Sequence, residues 1–553
     1  MAAMSAAERF VTHSVENQAT PVGDYNAYTT DTALREAITR EGGAWADSHL
    51  SEFGGVAGGE LMRLGYTANE NKPKFKPFDR YGNRIDEIEF HPSYHRVMQL
   101  GMQYGVHAYA WRNIEKTGAH VARAAVSYLH SQAEAGTGCP LTMTHSAMPA
   151  LMHQPEVAKF WGPLIHSYEY DQRVLPAAQK TGCTIGMGMT EKQGGSDVRA
   201  NTTRAYLQPD GSYEIVGHKW FFSAPMCDAW LVLAYVDRGI TCFMMPKILA
   251  DGTRNAIRIQ RLKDKLGDWS NASSEVEFHG AWAVRVGEEG RGVATILEMV
   301  SLTRLDCMIG SSALMRQASV QALHHAASRK AFGKRLIEQP LMQNVLADLA
   351  LESESHTALT MRVARAVDAS PRNEGEAAFA RIATAIGKYW VCKRTPAFVN
   401  EAQECLGGAG YVEETNLPRL YRQAPLNSIW EGSGNIQCLD VLRALNKEPE
   451  TREAFFGELL SVRGENADLD REIQWLSQAF EDRATVETRS RLIVERMALA
   501  LQATTLIRAG NSAVSDTFCS SRLGGGHGLV LGTLAADAPM VELIKRASLT
   551  GTL

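Results

Sequence analysis

One carboxylate in this chain stands where it could act as a base. Glu431 follows Trp430 in Ser428-Ile429-Trp430-Glu431-Gly432-Ser433-Gly434-Asn435, just ahead of a helical period marked by Ile436, Leu439 and Leu442. A carboxylate partly desolvated beside an indole has its pKa raised, which suits proton abstraction. The position also reads as an acid neutralising a helix N-terminus, and local sequence does not separate the two. Upstream, Met187-Gly188-Met189-Thr190-Glu191-Lys192-Gln193-Gly194-Gly195-Ser196-Asp197 joins paired glycines to hydroxyls. Such a loop lets backbone approach a polar ring or phosphates closely, or is a plain turn. It matches neither G-x-x-x-x-G-K-[ST] nor G-x-G-x-x-G, which disfavours ATP and a Rossmann nicotinamide site.

Three further stretches could serve a ligand. Trp220, Phe221 and Phe222 ending in Ser223 could wall a flat heterocycle, or fill a β core. Arg329-Lys330-Ala331-Phe332-Gly333-Lys334-Arg335 surrounds an aromatic with four basic groups, which suits a pyrophosphate or a solvated helix end. Glu404-Cys405-Leu406-Gly407-Gly408-Ala409-Gly410-Tyr411 again pairs glycines.

The elements that must position these groups change character along the chain. Residues 1–182 read as helices with apolar residues at three-to-four spacing, and 183–290 as short strands forming a β domain. Long helices return over 291–446, and 447–553 is a further helical segment. At 553 residues, 45% hydrophobic and 22% charged, the chain is that of a globular protein with several domains. The net charge of -5 supplies no global attraction for nucleic acid or anionic membrane. No apolar run is long enough to span a bilayer, and Met1–Phe10, with Glu8 and Arg9, lacks the apolar centre of an export signal. Nine scattered cysteines without a C-x-x-C pair argue against disulfides and a structural zinc site, and a reducing cytoplasm is expected.

Taken together, these stretches resemble the acyl-CoA dehydrogenase family over about residues 30–446. Met189–Asp197 is similar to its M-T-E-P-x-A-G-S-D, departing at Lys192, Gln193 and Gly194; Arg329, Phe332 and Gly333 match R-x-x-F-G. Gly407–Tyr411 match G-G-x-G-Y, and Trp430–Ser433 stand for Y-E-G-T. The resemblance implies an α+β multidomain fold: an N-terminal helical domain, a middle β domain and a four-helix bundle, here with an extra C-terminal helical domain. It implies FAD held between domains and across a subunit boundary of a homotetramer, with no metal, and Glu431 as base toward an acyl thioester. Cofactor contacts are implied for Met187, Gly188, Met189, Thr190, Gly195 and Ser196, and for the Trp220, Phe221, Phe222, Ser223 wall. Arg329, Phe332, Gln339, Gly407 and Gly408 would serve the phosphate side, and Trp430, Ser433 and Asn435 the surroundings of the base. Two departures stand out: Phe222 replaces a flavin-contacting Thr, and Glu404 replaces a Gln.

The stretches 187–198, 217–223, 261–267, 270–273 and 427–436 look like the AidB-like branch of the family, linked to the bacterial adaptive response to DNA alkylation. That branch implies weak short- or branched-chain acyl-CoA dehydrogenase activity and duplex DNA binding. Arginines of the last segment and its approach (Arg443, Arg489, Arg491, Arg496, Arg522) are the candidate DNA contacts, although 447–553 holds twelve Lys/Arg against fifteen Asp/Glu. A metabolic dehydrogenase with a structural tail, or a flavin oxidase acting on small electrophiles, are the alternatives.

Overall fold

The computed structural model describes residues 10–553; Met1–Arg9, most of the N-terminal stretch that is expected to be no export signal, lies outside the described residues. The N-terminal segment is built on helices α1 (Thr32–Arg40), α2 (Pro92–Gln103), α3 (Ala119–Ala133) and α4 (Gly138–Leu151). Asp31 caps α1 by accepting the Leu34 amide, and Pro92 opens α2, where its missing N–H costs nothing. A hairpin, Lys74–Phe78 against Arg84–Glu89, interrupts this helical segment; its run of charged residues hides the strand alternation from the sequence.

Seven strands follow: β1 (Ile185–Gly188), β2 (Arg204–Leu207), β3 (Tyr213–Ser223), β4 (Ala229–Val236), β5 (Gly239–Pro246), β6 (Ile257–Leu262) and β7 (Ser273–Val286). Their order is β1-β4-β2-β3-β7-β5, and a β4–β5 ladder closes the set into a barrel with β1 and β6 flanking it. Trp230, Phe243, Phe278 and Phe222 fill its interior.

The third layer is a bundle of α5 (Gly292–Ser328), α6 (Pro340–Ala369), α7 (Glu374–Cys405) and α8 (Gly434–Lys447). α5 packs on α3 and α4 as well as on α6 and α7, so N-terminal helices and bundle share one core. The final segment contains α9 (Ala467–Ala479), α10 (Ser490–Ala509) and α11 (Met540–Ala547). α10 lies against α6, α7 and α8, burying Ile493, Val494, Met497 and Leu501 in that core. The nine cysteines are all buried free thiols, and no described helix is long and apolar enough to cross a membrane.

Candidate active site

Glu431 sits in the short loop that leads into α8. Its backbone is left-handed (φ 56°), and so is that of Gly432 (φ 96°). For a non-glycine residue this conformation costs roughly 1–3 kcal/mol and needs the surroundings to enforce it. Three side chains do so. Buried Lys388 donates to the carbonyl of Trp430 at 2.7 Å and to that of Gly432. Arg304 donates to the Glu431 carbonyl at 3.1 Å, and Gln437 donates to the carbonyls of Glu431 and Gly432 at 3.0 Å each. The loop's backbone carbonyls are thus tied to α5, α7 and α8. Trp430 is fixed in turn by its indole N–H, which donates to Asn427 at 2.9 Å.

The carboxylate itself is left almost free. Among the described residues, it accepts one hydrogen bond, from the Thr303 hydroxyl at 2.7 Å. Burial pushes the Glu431 carboxyl above the ordinary range, against weaker opposing pulls from Thr303, Lys388 and Arg304. The cations therefore hold the loop without neutralising the acid. None of Thr303, Arg304, Lys388 and Gln437 is signalled locally, because three of them come from helices far away in sequence.

The Gly-rich loop is organised by a residue that offers nothing to solvent. Glu191 is fully buried, pairs with Lys219 at 2.8 Å, and accepts the amides of Thr202 and Thr203 at 2.7 and 3.2 Å. This turns Thr190 toward β3, where its carbonyl accepts the Trp220 amide at 2.8 Å. A Cβ on Gly195 would lie 2.4 Å from the Thr190 hydroxyl, so the loop closes only with glycine there.

β3 carries one extra residue between Lys219 and Phe222 relative to β7, a β-bulge. Strict alternation would bury Phe221 and expose Phe222; the bulge reverses this. Trp220 is half-buried and Phe221 exposed, whereas the Phe222 ring is fully buried, 5.0 Å from Trp230 between centroids. The expected three-aromatic wall is corrected to Trp220 and Phe221, since Phe222 is a core residue. Gly188 belongs with it: a Cβ there would meet the Phe222 ring at 2.6 Å. Met187 is likewise buried in the barrel core. Lys263 lies 3.4 Å from the centroid of the Trp220 ring.

The remaining stretches lie elsewhere. Arg329–Arg335 forms a small hairpin at the far end of α5, with Phe332 100% exposed and left-handed (φ 52°). Arg329 donates to the Asn17 carbonyl, and Gln339 steadies the hairpin by donating to Ala331 at 3.0 Å. Gly407 and Gly408 are exposed in a helical turn after α7, with open space where a Cβ would stand. Among the described residues, Glu404 accepts a hydrogen bond from Asn400 at 3.2 Å and has no cation as partner. Thr303 and Arg329 are 26 positions apart on and just beyond α5, so roughly 39 Å separates them along its axis at 1.5 Å per residue.

The candidate DNA arginines are mostly spent, which corrects the expectation for three of the five. Arg522 is buried, its side chain 7% exposed, and paired with Asp348 and Glu352. Arg496 grips the buried Glu472 with two nitrogens, one at 2.7 Å. Arg489 is folded back on Thr485 and the Ala479 carbonyl, at 2.9 and 3.1 Å. Each would have to abandon an internal partner to meet a phosphate. Arg443 is half exposed but shares Asp440 with Arg304 and Arg381. Arg491 is exposed and has no carboxylate partner among the described residues.

Three domain models match in series. Residues 17–172 match the adaptive response protein AidB N-terminal domain, 186–281 the acyl-CoA dehydrogenase middle domain and 290–446 the acyl-CoA dehydrogenase C-terminal domain. The AidB protein of Escherichia coli (strain K12) is 47% identical over 514 residues, 93% of this chain and 94% of that one. The chain belongs to the acyl-CoA dehydrogenase family. It is an AidB-like member, an oxidoreductase of a family whose members depend on FAD. Caenorhabditis elegans acyl-CoA dehydrogenase family member 11 is 29% identical over 86% of this chain and 79% of its own. The solved structure of C. elegans ACDH-11 with C11-CoA has a TM-score of 0.82 at 26% identity, covering 94% of this chain and 93% of that one.

The donor set fits FAD. Among the described residues, the hydroxyls of Thr190, Ser196, Ser223 and Ser433 neither donate nor accept a hydrogen bond. Together with an exposed aromatic edge, two open glycines and a basic hairpin, they offer donors for a flavin edge and for phosphates without an internal claim on them.

Proposed function

We propose that this protein removes a proton and a hydride from adjacent carbons of an acyl thioester, with Glu431 as the base. The observation that carries the reading is the base loop: a half-buried carboxylate of raised pKa, held rigidly by its backbone and, among the described residues, hydrogen-bonded by Thr303 alone. FAD supplies the acceptor for the hydride. Trp220, Thr190 and Ser223 would hold the flavin, and Ser433 and Asn435 would bind beside the base at the N-terminus of α8, where helix amides favour anions. Glu431, drawn up by desolvation, takes the α-proton; Thr303 orients its carboxylate and stabilises the charged form.

The hairpin of Arg329 lies too far along α5 to serve the same cofactor. Arg329, Phe332, Gln339, Gly407 and Gly408 would complete the phosphate and adenine side for a neighbouring copy. This makes the oligomer, in the manner of the family a homotetramer, a condition for holding FAD. Anaerobic bleaching of the FAD-loaded protein by short- and branched-chain acyl-CoAs tests the reading: reduction by at least one of them is expected, and none across the panel would remove the dehydrogenase assignment.

A second reading, a role in the alkylation response through duplex DNA, is favoured by likeness to AidB and by one feature of the surface. Exposed Lys393 and Arg491 both act on the Cys438 thiol at the start of α8, beside the base loop, and neither has a carboxylate partner among the described residues. Phosphate binding through these two and Arg443 predicts that Lys393→Glu with Arg491→Glu reduces DNA affinity and flattens its salt dependence by about 0.9 logarithmic units for each phosphate released. Wild-type affinity and slope in the doubly reversed protein, its oligomer intact, would remove this face from DNA binding.

A further inference from the structure

A cleft whose lining includes neither the base nor any residue of the cofactor stretches plays no part in the chemistry above. It opens between α2, the extended segment 168–182 and the barrel where β1 begins, and encloses about 320 Å³. That is the lower end of the range that holds small molecules. Its floor is apolar: Phe90, Met98 and Met102 line it, and the Tyr94 ring stacks on Phe90 with centroids 3.9 Å apart.

The opposite wall and the rim are charged, with Glu87, Asp171 and Asp228 against Arg173, Lys180 and Lys247, and not every cation is paired. Lys180 is paired with Asp228, whose other oxygen accepts the Thr184 amide at 2.8 Å, so that carboxylate is fully engaged. Arg173 at the mouth is gripped by both oxygens of Asp171, at 2.9 and 2.7 Å. Lys247 has no such partner. Its ammonium reaches only the Met226 carbonyl, at 3.3 Å, and no carboxylate lies within ion-pair distance among the described residues. Burial draws this ammonium down to about 8, against an opposing pull from the Asp228 carboxylate nearby. A half-buried cation without an ion pair, facing open space, is the complement of an anion, and the floor beneath it is the complement of a hydrocarbon.

We propose that this cleft binds a small monoanion carried on an apolar body, such as a short- to medium-chain carboxylate, its head on Lys247 and its tail over Phe90, Met98 and Met102. The site contains none of Glu431, Trp220 or Arg329, so it stands or falls independently of the dehydrogenase reading.

The test titrates the full-length, FAD-loaded protein calorimetrically with octanoate and with octan-1-ol. One octanoate per chain is expected, with octanol bound at least about tenfold more weakly, because the alcohol forms no ion pair with Lys247. Lys247→Met should weaken octanoate by about tenfold or more and leave octanol unchanged. Met98→Trp, which fills the floor without touching the charge, should weaken both. Flavin absorbance and circular dichroism check that each variant is folded, and Lys247→Arg, which keeps the cation, should retain octanoate. Excess octanoyl-CoA should not displace the bound octanoate. The proposal is overturned by absence of octanoate binding, by equal affinity in folded Lys247→Met, or by displacement with octanoyl-CoA.

Discussion

The base loop at 427–437 and the C-terminal segment beyond 447 both concentrate charge, and they treat it in opposite ways. In the loop, Lys388 and Arg304 bind carbonyls and leave the Glu431 carboxylate to a single hydroxyl. In the tail, buried charge is matched: Arg522 with Asp348 and Glu352, Arg496 with Glu472, Arg546 with Glu354 and Glu36. An unmatched charge is expensive and persists where chemistry needs it, whereas a matched one fixes how two elements dock. The tail's arginines are therefore read as docking groups for α6 and α9, and the loop's glutamate as a reactive one.

Glu431→Gln breaks the comparison at its sharpest point. The amide keeps the shape but cannot accept a proton, so acyl-CoA-dependent flavin reduction should fall roughly 100- to 10,000-fold with FAD retained. Stability should move the other way. A carboxyl whose folded pKa is raised contributes stability below its ordinary range and loses it as pH rises through the raised value. At neutral pH the variant should unfold at the same temperature as the parent or higher. A clear drop in melting temperature would mean that Glu431 is matched after all.

In the tail, the same kind of change should cost stability and not activity. Arg522→Met leaves Asp348 with His527 and the Gly532 amide, and Glu352 with Arg394. Removing one member of a buried network costs about 3 kcal/mol. Urea denaturation should show that loss while flavin reduction per folded protein is unchanged. Stability within 1 kcal/mol of the parent (about the resolution of such measurements) would mean that the tail is not docked through this residue.

Arg329→Ala probes a charge that, among the described residues, is met by a carbonyl and no carboxylate. A charge-assisted phosphate contact is worth about 1.5–3 kcal/mol, so FAD retention measured by dialysis should fall at least about tenfold without unfolding. If retention is unchanged, the hairpin is a solvated turn.

What the sequence made legible was local. Glu431 beside Trp430, the paired glycines and the Arg329 stretch all carry their chemistry within a few residues. The groups that decide what those residues do were not legible, because they arrive from afar: Thr303 reaches Glu431 across 128 positions, Lys388 reaches Trp430 across 42, and Arg522 reaches Glu352 across 170. Phe222 was misplaced for a different reason. A single-residue bulge inverts the in–out pattern, and nothing in Trp220-Phe221-Phe222 marks which strand position is doubled. Arg489 caps α10 and Arg496 lies within it, yet one folds back on its own segment and the other is held by Glu472, and neither pairing can be read from the arginines' spacing.

The smallest expected effect concerns the hydrogen bond that Thr303 donates to the base. The Thr303 hydroxyl also lies 3.0 Å from the Val300 carbonyl, and its single proton serves one acceptor at a time. With Glu431 ionised, donation to the carboxylate is the stronger bond, so Thr303 favours the charged base. Thr303→Val keeps the volume and removes the donor. The carboxyl, already raised by burial, should rise further, and the pH at which flavin reduction reaches half its maximum should move up. At neutral pH the rate should drop several-fold, while the limiting rate at high pH should be nearly that of the parent. Thr303→Ser, which restores the hydroxyl, should return the profile to its original position. If instead the limiting rate falls and the pH profile stays where it was, Thr303 acts by placing the carboxylate rather than by tuning it. The unmatched character of Glu431 would then be set by burial alone.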